Sequence, residues 1–334
     1  MKAIPPFLTT IWRPLTSAVL PRGRNTGLTV LFFHRVLQHS DPLQPDVPTV
    51  EEFERLLTWI ARQFSVLQLS EALARLRAGS LPPGCACITF DDGYADNRLN
   101  AAPALLRAGL PATFFIATAF LDGGIMWNDS IVESVRRTSL AQLVGPGTEA
   151  RALDLAGHDL RRAAILQFIG HWKREPYEQR SKLVAELVQR TAVELPADLM
   201  MTSSQLKELD QMGFEIGAHT RTHPILTRLS DEMALAEIAG SKFDLEAILS
   251  RTISLFAYPN GRCGDDFDQR HVDMVQAAGF EYAFSTEPGV VRVGSDSYSL
   301  PRFTPWDREG WKFNLRLIRN AWTTPSTPSP PLPS

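Results

Sequence analysis

The sequence predicts an α/β protein built on a parallel sheet or barrel. Apolar runs of strand length alternate with segments of helical periodicity. Several of those runs are continuously apolar, as in strands covered on both faces. Polar residues stand at the C-terminal ends of several runs, where folds of this class gather their chemistry.

Taken in order, LTVLFF (Leu28–Phe33) is an unbroken apolar run that ends at His34. Thr49–Phe64 repeats apolar residues at Phe53, Leu56, Leu57, Ile60 and Phe64, one face of a helix, and Thr49 with Glu52 makes a capping box. Ser70–Gly79 predicts a helix with a glycine stop. CACITF predicts a strand ending at Asp91, Asn100–Leu110 a helix and Pro111–Thr118 a strand. From about Asp122 to Asp198 strand-like runs give way to helical periodicity, so a helical insertion is expected there. Thr202 and Gln205 then cap a helix, FEIGA leads to His219, and a long helix follows Ser230. ISLFA leads to Tyr258, DQRHVDMVQAAG predicts a helix, EYAFST a strand and SYSLPRF a last strand.

The 334 residues, 44% hydrophobic and 21% charged with a formal net charge of -3, can bury a large core. No basic run or aromatic–basic interleaving occurs, so no nucleic-acid partner is expected. Cys85, Cys87 and Cys263 are too few and too unevenly spaced for a disulfide framework, and read as small buried hydrophobes. Residues 1–27 form an N-terminal arm cut by Pro5, Pro6, Arg13, Pro14 and Pro21. It has no bilayer-length apolar run, and Arg13 interrupts any signal-peptide core. The expected location is cytoplasmic, with peripheral membrane contact through this basic, amphipathic arm as the sharper alternative. The body of the protein is expected over 28–322, and the Pro/Ser-rich tail, 323–334, is expected to be disordered.

His34, the pair Asp91/Asp92, His219 and Tyr258 each end a separate predicted strand. In TFDDGYADN two carboxylates stand side by side, and burying like charges is costly unless a cation joins them. HTRTHP sets His219 and His223 four apart. Alone that spacing is weak, since two surface histidines are at least as common. Joined to one carboxylate, the two imidazoles make a facial triad with open positions, as in a catalytic rather than a structural metal site.

TFDDGYADN, HTRTHP and FAYPNGR, in this order, resemble the first three motifs of the polysaccharide deacetylases, the NodB-homology or carbohydrate esterase family 4 group. The resemblance runs from about Leu28 to Phe303, interrupted by the helical insert. It implies a distorted (β/α)7-type barrel and metal-dependent removal of acetyl groups from glycans, usually those containing N-acetylglucosamine. It implies Asp91 as the general base that activates metal-bound water, and Asp92, His219 and His223 as ligands of a divalent metal, Zn2+ first, with Co2+, Ni2+ or Mn2+ as alternatives. It implies Tyr258, through its backbone N–H, as an oxyanion donor, with Pro259 beside it at the substrate; a turn set by Pro259, Asn260 and Gly261 is the structural reading of the same residues. Trp127 is a candidate glycan platform, with plain core the weightier reading.

The chain departs from the family pattern in two places. An Arg that many members carry in the third motif, against the base, is replaced here by Phe256-Ala257; Arg302 in LPRF is expected to take its place, with Arg262 as second candidate. The C-terminal Leu-x-His motif is absent. In the poly-N-acetylglucosamine deacetylase branch an N-terminal strand ending in His supplies the missing acid, and LFFHRV resembles that arrangement, so His34 is the expected general acid. The expected partner is an acetylated glycan; a non-sugar amide and a non-catalytic carbohydrate-binding protein are the alternatives.

Overall fold

The computed structural model describes residues 27–147, 151–305 and 307–323. The predicted arm and nearly all of the tail lie outside the described residues. A seven-stranded, all-parallel sheet forms the centre. Its strands are β1 (Leu28–Phe33), β2 (Ser65–Val66), β3 (Cys85–Phe90), β4 (Thr113–Ile116), β7 (Glu215–Ala218), β8 (Leu255–Ala257) and β9 (Tyr282–Phe284). The order is β1-β3-β4-β7-β8-β9, with β2 joined to the start of β3. Helices α1 (Val50–Gln63), α2 (Leu69–Arg77), α3 (Ala102–Ala108), α7 (Ser203–Gln211), α8 (Asp231–Leu249), α9 (Gln269–Ala277) and α10 (Gly310–Ala321) flank it. Both predicted capping boxes form, at Thr49/Glu52 and Thr202/Gln205. This is the expected distorted (β/α) barrel.

Strand residues alternate between two faces. Leu31, Phe33, Ile88, Phe90, Phe114, Ile116, Ile216, Ala218 and Phe256 pack into the large core that the outer helices cover. Val30, Cys87, Phe115, Ala257 and Phe284 pack in a second cluster on the inner face, which α2 closes. Both Cys85 and Cys87 are buried there as free thiols. His34, Asp91 and His219 continue the inner parity of their strands, whereas Tyr258 continues the outer parity of Phe256. That difference decides the fate of Tyr258 below.

The SYSLPRF segment does not form the predicted strand. Pro301 lacks an N–H, so the segment cannot sustain a ladder. It makes two single bridges instead, Leu300 to Phe284 and Phe303 to Leu31. Leu300 N–H donates to Ala283 (2.9 Å) and Phe303 N–H to Val30 (2.8 Å), so the segment spans the gap between β9 and β1.

Between β4 and α7 lie α4 (Trp127–Arg137), α5 (Gly157–Trp172) and α6 (Tyr177–Thr191), which share a separate core of Ile131, Val135, Ile165, Phe168, Trp172 and Leu187. This stretch also holds a small antiparallel pair, β5 (Gln142–Val144) and β6 (Ala152–Asp154), where no strand was expected. Each strand has three residues and is mostly exposed, too little pattern for a period of two to register.

Gly217 on β7 leads directly to His219. A Cβ at Gly217 would lie 2.5 Å from the Phe115 ring and 3.0 Å from the Leu255 carbonyl oxygen. Gly217→Ala is therefore expected to cost about 1–3 kcal/mol through overpacking. A urea-unfolding midpoint equal to wild type would show that the inner face has slack.

Candidate active site

Asp91 follows β3 and is buried; Arg302 reaches it from the closing segment and is fully buried. The guanidinium donates to both carboxylate oxygens, Nη1 to Oδ1 at 2.7 Å and Nη2 to Oδ2 at 2.8 Å. Its Nε donates to the Ser285 carbonyl, and its face lies over the Phe32 ring at 4.7 Å. Burial pushes the Asp91 carboxyl up, but Arg302, His219 and His34 outweigh it and hold it at about 2. Arg262 is exposed and makes no contact with Asp91, so of the two candidate partners the structure brings Arg302 to it.

The neighbouring Asp92 takes a left-handed backbone (φ 78°), followed by Gly93 (φ 88°). This turn separates adjacent side chains, so Asp92 faces the two histidines rather than Arg302. Asp92 Oδ1 lies 3.6 Å from His219 Nε2 and 3.4 Å from His223 Nε2. That oxygen is buried and, among the described residues, has no hydrogen-bond partner. The His219 Nδ1 is 2.7 Å from the Ala257 carbonyl, which fixes the proton on Nδ1 and leaves the Nε2 lone pair facing Asp92. Burial lowers His219 to about 4 and pushes His223 well down, so both rings are neutral near neutral pH. Burial, with Asp91 and Asp129 nearby, pushes Asp92 well up. One orphaned buried carboxylate oxygen and two neutral imidazole lone pairs, all within 4.8 Å, suit a divalent cation, whose bonds of about 2 Å put neighbouring donors roughly 3–3.5 Å apart.

His34 follows β1 and lines the same cleft as Asp91, Asp92, His219 and His223. Burial lowers its pKa, Asp91 raises it and Arg302 lowers it again, with a net fall. That fall favours the neutral ring at rest.

The rest of TFDDGYADN builds the floor, a role the sequence reading did not assign. Asp96 accepts from Arg35 Nε (2.8 Å) and the Val36 N–H, and Asn97 Nδ2 donates to the His34 carbonyl at 2.7 Å. Both hold the turn that follows β1. Arg35 stacks over Tyr94 at 4.5 Å, and the Tyr94 hydroxyl donates to Asp129 at 2.9 Å. Asp129, from α4, is buried in the cleft and raised by burial to about 6. Its signal was present in IMWNDSI, as an acid two residues after a tryptophan where a helix was expected.

Tyr258 requires a correction. Its N–H donates to the Phe284 carbonyl at 3.0 Å, so it is not free for an oxyanion. Its ring is fully buried, stacked on Phe267 at 3.8 Å, and its hydroxyl donates to the Tyr298 carbonyl. Pro259 is buried as well and does not line the cleft. Asn260, in left-handed backbone (φ 58°), reaches the cleft wall instead. Trp127 lines the cleft and also borders the α4–α6 core, with the Arg180 guanidinium 4.9 Å from its ring. The cleft has a volume of about 980 Å³ and runs between the barrel mouth, the α4–α6 helices, α1 and the loop before α10.

A family model described as polysaccharide deacetylase matches residues 164–283. That span holds His219, His223 and the loop after β8, and stops short of the Asp pair. The Bacillus subtilis protein named putative polysaccharide deacetylase YxkH is 22% identical over 289 residues, covering 86% of this chain and 74% of that protein. The structure of IcaB from Ammonifex degensii is similar with a TM-score of 0.56 at 19% identity, covering 86% of this chain and 97% of that one. The Streptococcus pyogenes deacetylase PplD, in complex with acetate, is similar with a TM-score of 0.55 at 18% identity, covering 84% and 92%.

Arg302→Met would leave Asp91 buried without its partner, and is expected to cost about 3–5 kcal/mol by chemical denaturation, with much of it restored in Arg302→Met/Asp91→Leu. The folded Asp91 carboxyl, at about 2 against 3.8 ordinarily, contributes stability at neutral pH that is lost as pH falls through that interval. The wild type should lose stability faster than the double variant over that range; parallel acid titrations would remove the pair from the account.

Proposed function

We propose, because this chain belongs to the polysaccharide deacetylase family of hydrolases acting on carbon–nitrogen bonds other than peptide bonds, that it removes N-acetyl groups from an N-acetylhexosamine-containing polysaccharide or glycan precursor. In this reading Asp92, His219 and His223 hold a divalent cation, with zinc the first choice for a set of two imidazoles and one carboxylate. The observation that carries it is the orphaned Asp92 oxygen facing two imidazole nitrogens. When bound, such a cation supplies Lewis acidity that makes water a nucleophile near neutral pH.

The chain's own residues divide the remaining work. Asp91, kept ionised by Arg302, takes the proton released as water oxygen bonds to the acetamide carbon. Held at about 2, Asp91 keeps that proton weakly. His34 starts neutral and shares the cleft with Asp91, so it receives the proton and passes it to the nitrogen as the carbon–nitrogen bond breaks. The second water proton leaves with the acyl product, so acetic acid and an amine form, ending in water as acetate and an ammonium, and both residues return to their starting states. The Asn260 amide, on the cleft wall, takes the oxyanion role expected of Tyr258.

Asp92→Ala and His223→Ala should each lose bound metal and deacetylation of a chitooligosaccharide, since each removes one of three protein ligands. Wild-type metal content in both variants, by plasma mass spectrometry, would dismiss the site. Asp91→Asn should keep metal and slow turnover by about 10²–10⁴-fold. Loss of metal there with retention in Asp92→Asn would exchange the two roles. His34→Ala should keep metal and fold, lose most activity on an acetamide, and lose much less on an activated aryl acetate, whose phenolate leaves unaided. Equal losses on both substrates would place the acid elsewhere.

A further inference from the structure

We propose that the glycan this site takes is anionic, and that Lys173, Arg174, Arg228 and Arg262 hold its negative groups at the mouth of the cleft beside His223. The inference rests on the deacetylase reading above and adds a substrate class to it.

All four side chains line the cleft, and all four are exposed. They come from three separate parts of the chain. Lys173 and Arg174 follow α5, Arg228 closes the short turn after His223, and Arg262 stands in the loop after β8. Two of those parts are tied together. The Thr227 N–H donates to the Asp266 carbonyl at 3.1 Å, and the Thr227 hydroxyl to the Asp265 carbonyl at 2.6 Å. Arg262 N–H in turn donates to the Asp266 carboxylate at 2.9 Å. Lys173 lies within electrostatic reach of both His223 and Asp266. The four bases thus border one opening rather than scattered surface.

Among the described residues none of the four makes a side-chain hydrogen bond or ion pair. The acids of the same lining are mostly engaged. Asp46 takes Arg162, Asp307 takes Arg316, Glu52 serves the α1 cap, and Asp266 accepts the Arg262 amide. Asp265 is left to face four unpaired cations. Clustered like charges in a concave, low-dielectric mouth focus the field and favour an anion there. Three of the four are arginine, whose planar fork fits carboxylate and phosphate oxygens in pairs. A neutral oligomer of N-acetylglucosamine offers these groups only uncharged acceptors, its hydroxyls, ether oxygens and amide carbonyls.

The test uses the full-length, metal-loaded protein and four probes: chitohexaose, a hyaluronan hexasaccharide carrying carboxylates, N-acetylglucosamine and N-acetylglucosamine 1-phosphate. Amine release gives kcat/KM for each, at salt raised from about 0.05 to about 0.5 M. The expected result is kcat/KM at least about tenfold higher for a charged probe than for its neutral counterpart, chitohexaose or N-acetylglucosamine, with the advantage shrinking as salt rises. Whichever charged probe shows it identifies carboxylate or phosphate as the anion. In Lys173→Gln/Arg262→Gln the ratio should collapse towards one through a raised KM, with kcat retained. A ratio at or below one in the wild type, or a ratio unmoved by salt and by the double variant, overturns the proposal. Calorimetric binding to metal-loaded Asp91→Asn separates the two readings. Salt-sensitive preference for a charged probe without turnover by the wild type supports the anion site and sinks the deacetylase reading, whereas turnover without any such preference does the reverse.

Discussion

Arg302 and Asp91 join the end of the chain to its middle, and most of the site depends on that junction. Arg302 stands on the segment that bridges β9 to β1, so closing the barrel and delivering a guanidinium to the β3 terminus are one structural event. An unpaired charge buried that deeply would be costly for either residue. Phe32 and Phe115 flank the guanidinium and keep water from competing for it. The pair leaves Asp91 ionised, and its negative charge is one of the forces acting on Asp92 and His34.

The two adjacent aspartates end in opposite electrostatic states because their backbones differ. Asp91 continues the inner face of β3, whereas Asp92 turns through left-handed backbone into Gly93. One carboxylate meets a fixed cation supplied by the protein. The other meets two neutral imidazoles and is left with an unsatisfied oxygen. That asymmetry is the physical basis on which the proposed mechanism assigns the two residues different work, a proton acceptor in one case and a cation ligand in the other.

The α4–α6 segment brings polar groups to a site otherwise built by strand ends. Asp129 and Trp127 come from the start of α4, and Lys173 and Arg174 from the end of α5. A core of its own lets this segment present those groups from a firm base. The barrel mouth thus carries Asp91, Asp92, His34, His219 and His223, and the helices beside it supply much of the cleft wall.

By itself the sequence determined the alternation of strands and helices, the capping boxes and the candidate site residues at strand ends, because burial periodicity and cap chemistry are local. It also carried, unread, the parity that turns Tyr258 away: Phe256 and Tyr258 share one face of β8, and Ala257 lies on the other. The tertiary structure alone decided which arginine meets Asp91, since a string offers Arg302 first and Arg262 second but only the closing segment's burial of Arg302 settles the contact. It likewise decided that His34 is neutral, that Asp129 joins the cleft, and that Lys173, Arg228 and Arg262 share one mouth. Those properties depend on dielectric surroundings and on contacts across tens to hundreds of residues, which no local pattern encodes.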